Sequence, residues 1–280
     1  MPSYVKKIYF GTAGIPRSTK ESSTEAGIDR ISELGLDSLE IEFVRGVKMS
    51  ADTALAVKKK AQEKNIRLSV HAPYFINLNS AEEGKRLASQ ERILRSARIG
   101  YLCGAESVIF HPGFYGKNPK EAYQVIKKAL QEIRSILKSE NNPIVLRPET
   151  MGKQSQFGSL TEVINLSLEI ENVQPCIDFS HLHARDGKWN SYEEFYKIIK
   201  KVERSLGKEA IKNVHIHISG IDYTEKGEKV HLNLKESDFR YDEWIQVLKD
   251  CSVEGIVICE SPNLELDALM LKRLYYGEEC

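Results

Sequence analysis

IRLSVHAPYFINLN, residues 66–79, carries the pattern that decides the fold. Its first part, Ile66–Val70, reads as a β-strand. His71 closes the run and a polar, proline-containing stretch follows at once. The next β-like run repeats the arrangement: Ser107–Phe110 ends on His111, and Pro112-Gly113 turns the chain as soon as the histidine is placed. Working outward, six further runs read the same way. Lys7–Phe10 and Ser38–Phe43 lie upstream, and Ile144–Arg147, Gln174–Ile177, Val214–Ile218 and Gly255–Cys259 downstream.

Helical patterns fill the gaps: Thr24–Leu34, Ala51–Lys64, Glu83–Cys103, Pro119–Lys138, Leu160–Glu169, Tyr192–Leu206, Tyr241–Lys249 and Leu264–Leu271. Val125, Ile126, Ala129, Leu130, Ile133, Ile136 and Leu137 recur at a helical period between lysines and glutamates. Ser23-Thr24 and Ser50 supply caps, and Gly35 and Gly207 stand where helices should stop. Strands alternating with helices indicate a parallel sheet, and eight such units predict an α/β fold, a single (β/α)8 barrel over residues 1–280. A doubly wound sheet is the main competitor, but it gathers ligands at one switch point. Here polar, metal-type residues follow nearly every strand, as eight loops around one mouth require.

Bulk properties narrow the function. Of 280 residues, 41% are hydrophobic and 29% charged, which excludes wholesale disorder. Forty basic residues balance forty acidic ones, against a simple basic module that coats nucleic acid. Cys103, Cys176, Cys251, Cys259 and Cys280 are scattered, as in a reducing compartment, with Cys280 expected exposed. No Gly-x-Gly-x-x-Gly or Walker loop is present, and no run of 18 apolar residues. A cytoplasmic protein without membrane contact is expected.

The strand ends carry the chemistry. His71, His111, Glu149, Asp178, His217 and Glu260 all follow strands, with His181 in the same loop as Asp178. Carboxylates rarely enter apolar strand contexts unpaired, so Glu149 needs a salt bridge or a metal. His215 shares a strand face with His217 but lies deeper, and reads as a core or supporting histidine. His231 sits in a long polar segment, Gly220 to Asp238, expected to be a loop reaching over the site. Six or seven ligand-type residues exceed the need of one ion. Two or more cations bridged by a carboxylate fit better, and such pairs chiefly serve phosphoryl hydrolysis.

The motifs HAPYFINL, HPG, ET before a polar glycine-containing loop, DFSHLHA, HIHISG, GEKVHLNL and ESP occur in that order. Through them the chain resembles the endonuclease IV family, zinc-dependent apurinic/apyrimidinic endonucleases among the xylose-isomerase-like TIM barrels, over essentially its whole length. The resemblance implies cleavage of the phosphodiester 5′ to an abasic nucleotide in duplex DNA by a trinuclear zinc cluster. His71, His111 and Glu149 would hold one zinc, and Glu149, Asp178, His217 and Glu260 a second, with Glu149 bridging. His181 and His231 would belong to a third. Glu149 and Glu260 would act in catalysis, Tyr74 would lie against DNA, and Lys153, Arg185 or Lys229 could meet flanking phosphates.

Two positions depart from the family. Gly220 stands where an acidic residue is common, and Lys229 replaces an Asp two residues before His231. A protonated lysine cannot coordinate. The expectation is therefore two firmly bound Zn2+ ions and a weak third, unless Glu228 or His183 supplies the missing ligand, with Mn2+ also compatible. A monomer is expected. The alternatives are a metal-dependent sugar isomerase or epimerase, and a non-catalytic binding module on the same fold.

Overall fold

The computed structural model describes residues 8–277, so the expectations for Lys7 and Cys280 lie outside the described residues. Among the described residues there are ten strands: β1 Ile8–Ala13, β2 Ser38–Glu42, β3 Arg67–His71, β4 Ser107–Phe110, β5 Val145–Pro148, β6 Cys176–Asp178, β7 Val214–Ile218, β8 Gly220–Thr224, β9 Gly227–Leu232 and β10 Gly255–Cys259. The helices are α1 Thr24–Glu33, α2 Ala51–Lys64, α3 Glu83–Leu102, α4 Pro119–Ser139, α5 Leu160–Glu169, α6 Phe179–Asp186, α7 Tyr192–Leu206, α8 Tyr241–Asp250 and α9 Glu265–Tyr276.

Eight strands pair in parallel in the order β5-β4-β3-β2-β1-β10-β7-β6. The two ends of this sheet meet through parallel bridges, Leu146 to Val173 and Glu149 to Cys176. Thr150 N–H donates to Cys176 C=O across that seam at 3.1 Å, and Gln174 N–H to Leu146 C=O at 3.0 Å. The predicted (β/α)8 barrel is the fold. Strands covered on both faces should be apolar throughout rather than alternating. The β4 and β10 runs, Ser-Val-Ile-Phe and Gly-Ile-Val-Ile-Cys, are buried at every position.

Local chemistry starts the helices where the sequence placed them. Ser23, Ser50, Asn118 and Ser159 each accept a first-turn N–H, and Ser159 forms a reciprocal capping box with Glu162. The apolar stripe of α4 buries Ile126, Leu130, Ile133 and Leu137 against the barrel.

The structure corrects the sequence reading in two places, both beside the site. Asp178-to-Asp186 was expected to be loop, and forms the short helix α6 instead. Asp178 caps it by accepting from His181 N–H, and Gly187, left-handed at φ 61°, ends it. Eight residues are too few for apolar periodicity to show. The polar segment after β7 was also expected to be loop, and folds into the antiparallel hairpin β8–β9.

α6 is held by an aromatic cluster in which Phe179 meets Phe195 and Trp244 edge-on, each at 5.8 Å, all three fully buried. Phe179→Ala should lower unfolding free energy by about 3–5 kcal/mol, the usual loss for a buried phenylalanine, as read from urea denaturation. A change below about 1 kcal/mol would mean that α6 is not anchored through this ring.

Candidate metal centre

The strand C-termini bring the predicted residues to one point. His71 ends β3, Asp178 ends β6 and His217 lies one residue before the end of β7; His111, Glu149 and Glu260 directly follow β4, β5 and β10. Glu149 is the hub and is buried. Its Oε2 lies 3.3 Å from His71 Nε2 and 3.1 Å from His111 Nε2. Its Oε1 lies 3.1 Å from His181 Nδ1 and 3.4 Å from His217 Nδ1. His217 Nδ1 is also 3.4 Å from Glu260 Oε1.

Three groups result, with ligand atoms within 4.8 Å of one another in each: His71, His111 and Glu149; Glu149, Asp178, His217 and Glu260; and His181, Glu228 and His231. Ligands around one tetrahedral zinc stand roughly 3.3 Å apart, so these spacings suit such an ion. Buried Glu149 Oε1, Asp178 Oδ2 and His217 Nδ1 have no hydrogen-bond partner. Orphaned buried polar atoms are costly, and these three belong to one group. The donor set, imidazole nitrogen and carboxylate oxygen, fits a divalent cation. A fourth group, Cys176 with His215 and His217, lies deeper in the barrel and is fully buried.

Supporting acceptors orient the rings. His71 Nδ1–H donates to Ala72 C=O at 2.7 Å, leaving Nε2 for the centre, and His181 Nδ1 faces Thr150 C=O at 3.0 Å, leaving Nε2 free. Burial alone would depress the His71 imidazole, but its Glu149 contact and the charges of Glu42 and Glu149 lift it to about 9. His181 is likewise held well above the ordinary histidine range, with Asp178 and Glu149 overcoming burial. Burial would raise Glu149, yet the charges of His111 and His217 hold it well below the usual carboxylate range. Burial, reinforced by Glu149 and Asp178, pushes Glu260 up to about 8. Protons therefore neutralise positions that a cation would occupy.

The third group departs from expectation in a definite way. Lys229 does not stand beside His231. Its Nζ donates to Asp222 Oδ2 at 2.7 Å and its side chain is 64% exposed. The hairpin register explains this: Ile221 pairs with His231, Asp222 with Val230, and Tyr223 with Glu228, so Lys229 is the extra residue of a β-bulge. The bulge puts Glu228 and His231 on one face although they are three apart. Glu228 Oε2 lies 3.5 Å from His181 Nε2, and His231 Nε2 lies 3.3 Å from the same atom. The hairpin tip is locked to the β5–α5 loop, with Glu228 N–H donating to Gly152 C=O at 2.9 Å. Gly227 adopts φ 97°, and a Cβ there would meet Gly152 O at 2.2 Å, while one on Gly152 would meet Glu228 Cβ at 2.6 Å.

Other expected residues are placed as follows. Tyr74 stands at the mouth, 46% exposed, its ring stacked on His111 at 5.4 Å and its hydroxyl donating to Glu42 Oε2 at 3.1 Å. His183 is not a replacement ligand, because its Nε2 faces Asp238 at 3.2 Å. Arg185 is not a phosphate contact: it is buried and donates to the carbonyls of Met151, Lys153 and Gln156, holding the loop beneath the hairpin. Lys153 does line the mouth cavity of about 500 Å3, together with Glu42, Tyr74, Glu228 and Glu260. Glu40, Glu42 and Gly152 were missed. The argument applied to Glu149, that a carboxylate in an apolar strand needs a partner, would have found Glu40 within Ser38–Glu42.

Comparison with known proteins agrees with this geometry. Residues 28–274 match the family described as xylose isomerase-like TIM barrel. An uncharacterized protein of Methanocaldococcus jannaschii is 46% identical over 270 residues, covering 96% of this chain and 97% of that protein. A probable endonuclease 4 of Acholeplasma laidlawii is 27% identical over 248 residues, covering 82% of this chain and 81% of that one. Among solved structures, endonuclease IV from Thermus thermophilus superposes with a TM-score of 0.75 at 18% identity, covering 97% of this chain and 98% of its own. A D-tagatose 3-epimerase-like protein superposes at 0.73 with 20% identity, covering 97% and 96%, so these two likenesses speak for the barrel alone. The match over residues 28–274 places the chain in the xylose isomerase-like TIM barrel family.

Proposed function

We propose that this chain is a metal-dependent phosphodiesterase that incises duplex DNA at abasic sites. The ligand groups and the family support a metal-dependent hydrolase. One observation carries the finer reading: Glu149 belongs to two ligand groups at once, with a third group adjoining through His181. Single-metal sugar chemistry would need only the group of Glu149, Asp178, His217 and Glu260. The added histidines at His71, His111, His181 and His231 suit a zinc cluster instead, as imidazole-rich sites do, with Mn2+ the other candidate.

Bound cations would polarise a phosphate and make a water nucleophilic near neutral pH. The residues of the chain do the rest. Glu149 would hold two ions by one carboxylate, and Glu260, at the mouth, would help orient the attacking water. Tyr74 presents a half-exposed ring to the nucleotide beside the lesion, and Lys153 meets a flanking phosphate. A missing base lowers the cost of turning the sugar out of the helix.

Incision of a duplex carrying one synthetic abasic site should require the metal and be lost with a strong chelator. Glu149→Ala should cut the rate by at least about a thousandfold and lower bound metal on elemental analysis, while the circular dichroism spectrum is kept. A fully loaded protein that leaves this duplex intact but epimerises a ketose would replace the reading with the sugar one.

The bulge makes a separate prediction. Glu228→Gln should remove about one ion per chain, whereas Lys229→Ala should leave the metal content unchanged. The opposite pattern would show that Lys229, not Glu228, governs the third group.

Metal uptake should also expel protons. With His71 lifted to about 9, its ring is protonated in the metal-free protein at pH 7, and coordination needs it neutral. Calorimetric titration with zinc at about pH 7 should therefore give a heat that depends on the buffer's ionisation enthalpy, and the His71 part of that dependence should vanish well above about 9. Heats independent of buffer near neutral pH would refute it.

A further inference from the structure

One carboxylate of the barrel interior is not explained by the ligand groups. Glu40, on β2, is fully buried, and among the described residues its ion-pair partners are two histidines rather than a lysine or arginine. Its Oε2 accepts from Ser69 Oγ at 2.6 Å and from His215 Nε2 at 2.9 Å. Its Oε1 lies 2.9 Å from His217 Nε2, and neither of these two buried atoms has another hydrogen-bond partner. The pair meets as an ion pair rather than as an aligned hydrogen bond. The opposite edge of the same imidazole, Nδ1, lies 3.4 Å from both Glu149 and Glu260.

His71 and His181 are each backed by a backbone carbonyl. His217 is backed instead by a carboxylate that belongs to none of the ligand groups, and this charge draws the imidazole N–H more strongly and makes the far nitrogen a better donor. We infer that Glu40 is a positioning residue that turns His217 so that Nδ1 faces the metal centre and strengthens it as a ligand. Ser69 and His215 aim the carboxylate from below by occupying its other oxygen. The inference rests on the reading of Glu149, Asp178, His217 and Glu260 as one ion's ligands. Glu40 lies against His217 and against neither His71 nor His111, and although its charge reaches His71 its main effect falls on the ion that His217 would hold.

The test is zinc titration of the whole protein against a competing chelator, for the unaltered chain and for Glu40→Gln. One class of ion should bind about 10- to 100-fold more weakly in the variant, while the class held by His71 and His111 changes far less. A purely structural role would instead weaken both classes together or lower only the melting temperature of the metal-free protein, and either result overturns the inference. Equal affinities in the two proteins also overturn it, with the metal centre left standing. No zinc bound by the unaltered chain would overturn both. If Glu40→Gln does not fold, the unaltered protein loaded with a cadmium NMR isotope decides. Coupling of the ion to His217 Nδ1, with Nε2 protonated, is expected, and coupling to Nε2 overturns the assignment.

Discussion

Glu149 is the constraint on which the rest of the structure turns. A buried carboxylate surrounded by His71, His111, His181 and His217 cannot be left without positive charge, because the desolvation cost of a lone buried anion is several kcal/mol. In the protein as it stands, protons on His71, His181 and His217, whose imidazoles are all held above the ordinary range, balance that charge. A divalent cation in each ligand group would balance it better, and would free those protons. The same residue therefore organises the electrostatics of the mouth and joins two of the ligand groups.

Glu149 is also where the barrel closes. Its bridge to Cys176 joins the first and last strands of the eight-stranded order, two residues before Asp178. The ligand ring exists only if that seam forms, since residues from β3 and β7 reach the same carboxylate from opposite sides. Closure, the start of helix α6 and the ring thus share the same residues. Asp178 caps α6 through Oδ1 while its Oδ2 stays unpartnered in the centre, so the residue that starts the helix also completes the site.

The hairpin shows how a change in sequence can be absorbed by backbone geometry. Lys229 replaces an acidic residue of the resembled pattern, and along a regular strand its side chain would share a face with His231. One extra residue in β9 reverses that parity. Lys229 goes outward to Asp222 and Glu228 comes inward to His181. Gly152 and Gly227 permit the close backbone approach that holds the tip in place.

The sequence by itself determined the barrel and most of the ring. Eight apolar runs, six of them ending in imidazole or carboxylate, are legible because strand burial and ligand chemistry both act over a few neighbouring residues. His71, His111, Glu149, Asp178, His217 and Glu260 could be named from that alone. Only the tertiary structure decided which side chains face which. Glu40 and His217 lie on strands far apart in the chain yet stand 2.9 Å apart, and nothing local to either marks the contact. Arg185 looked like a surface cation, but the loop carbonyls it satisfies lie on a different stretch of chain, upstream of β6. The bulge at Lys229 depends on the register of two strands, and register is set by packing against α6 and the β5–α5 loop rather than by composition.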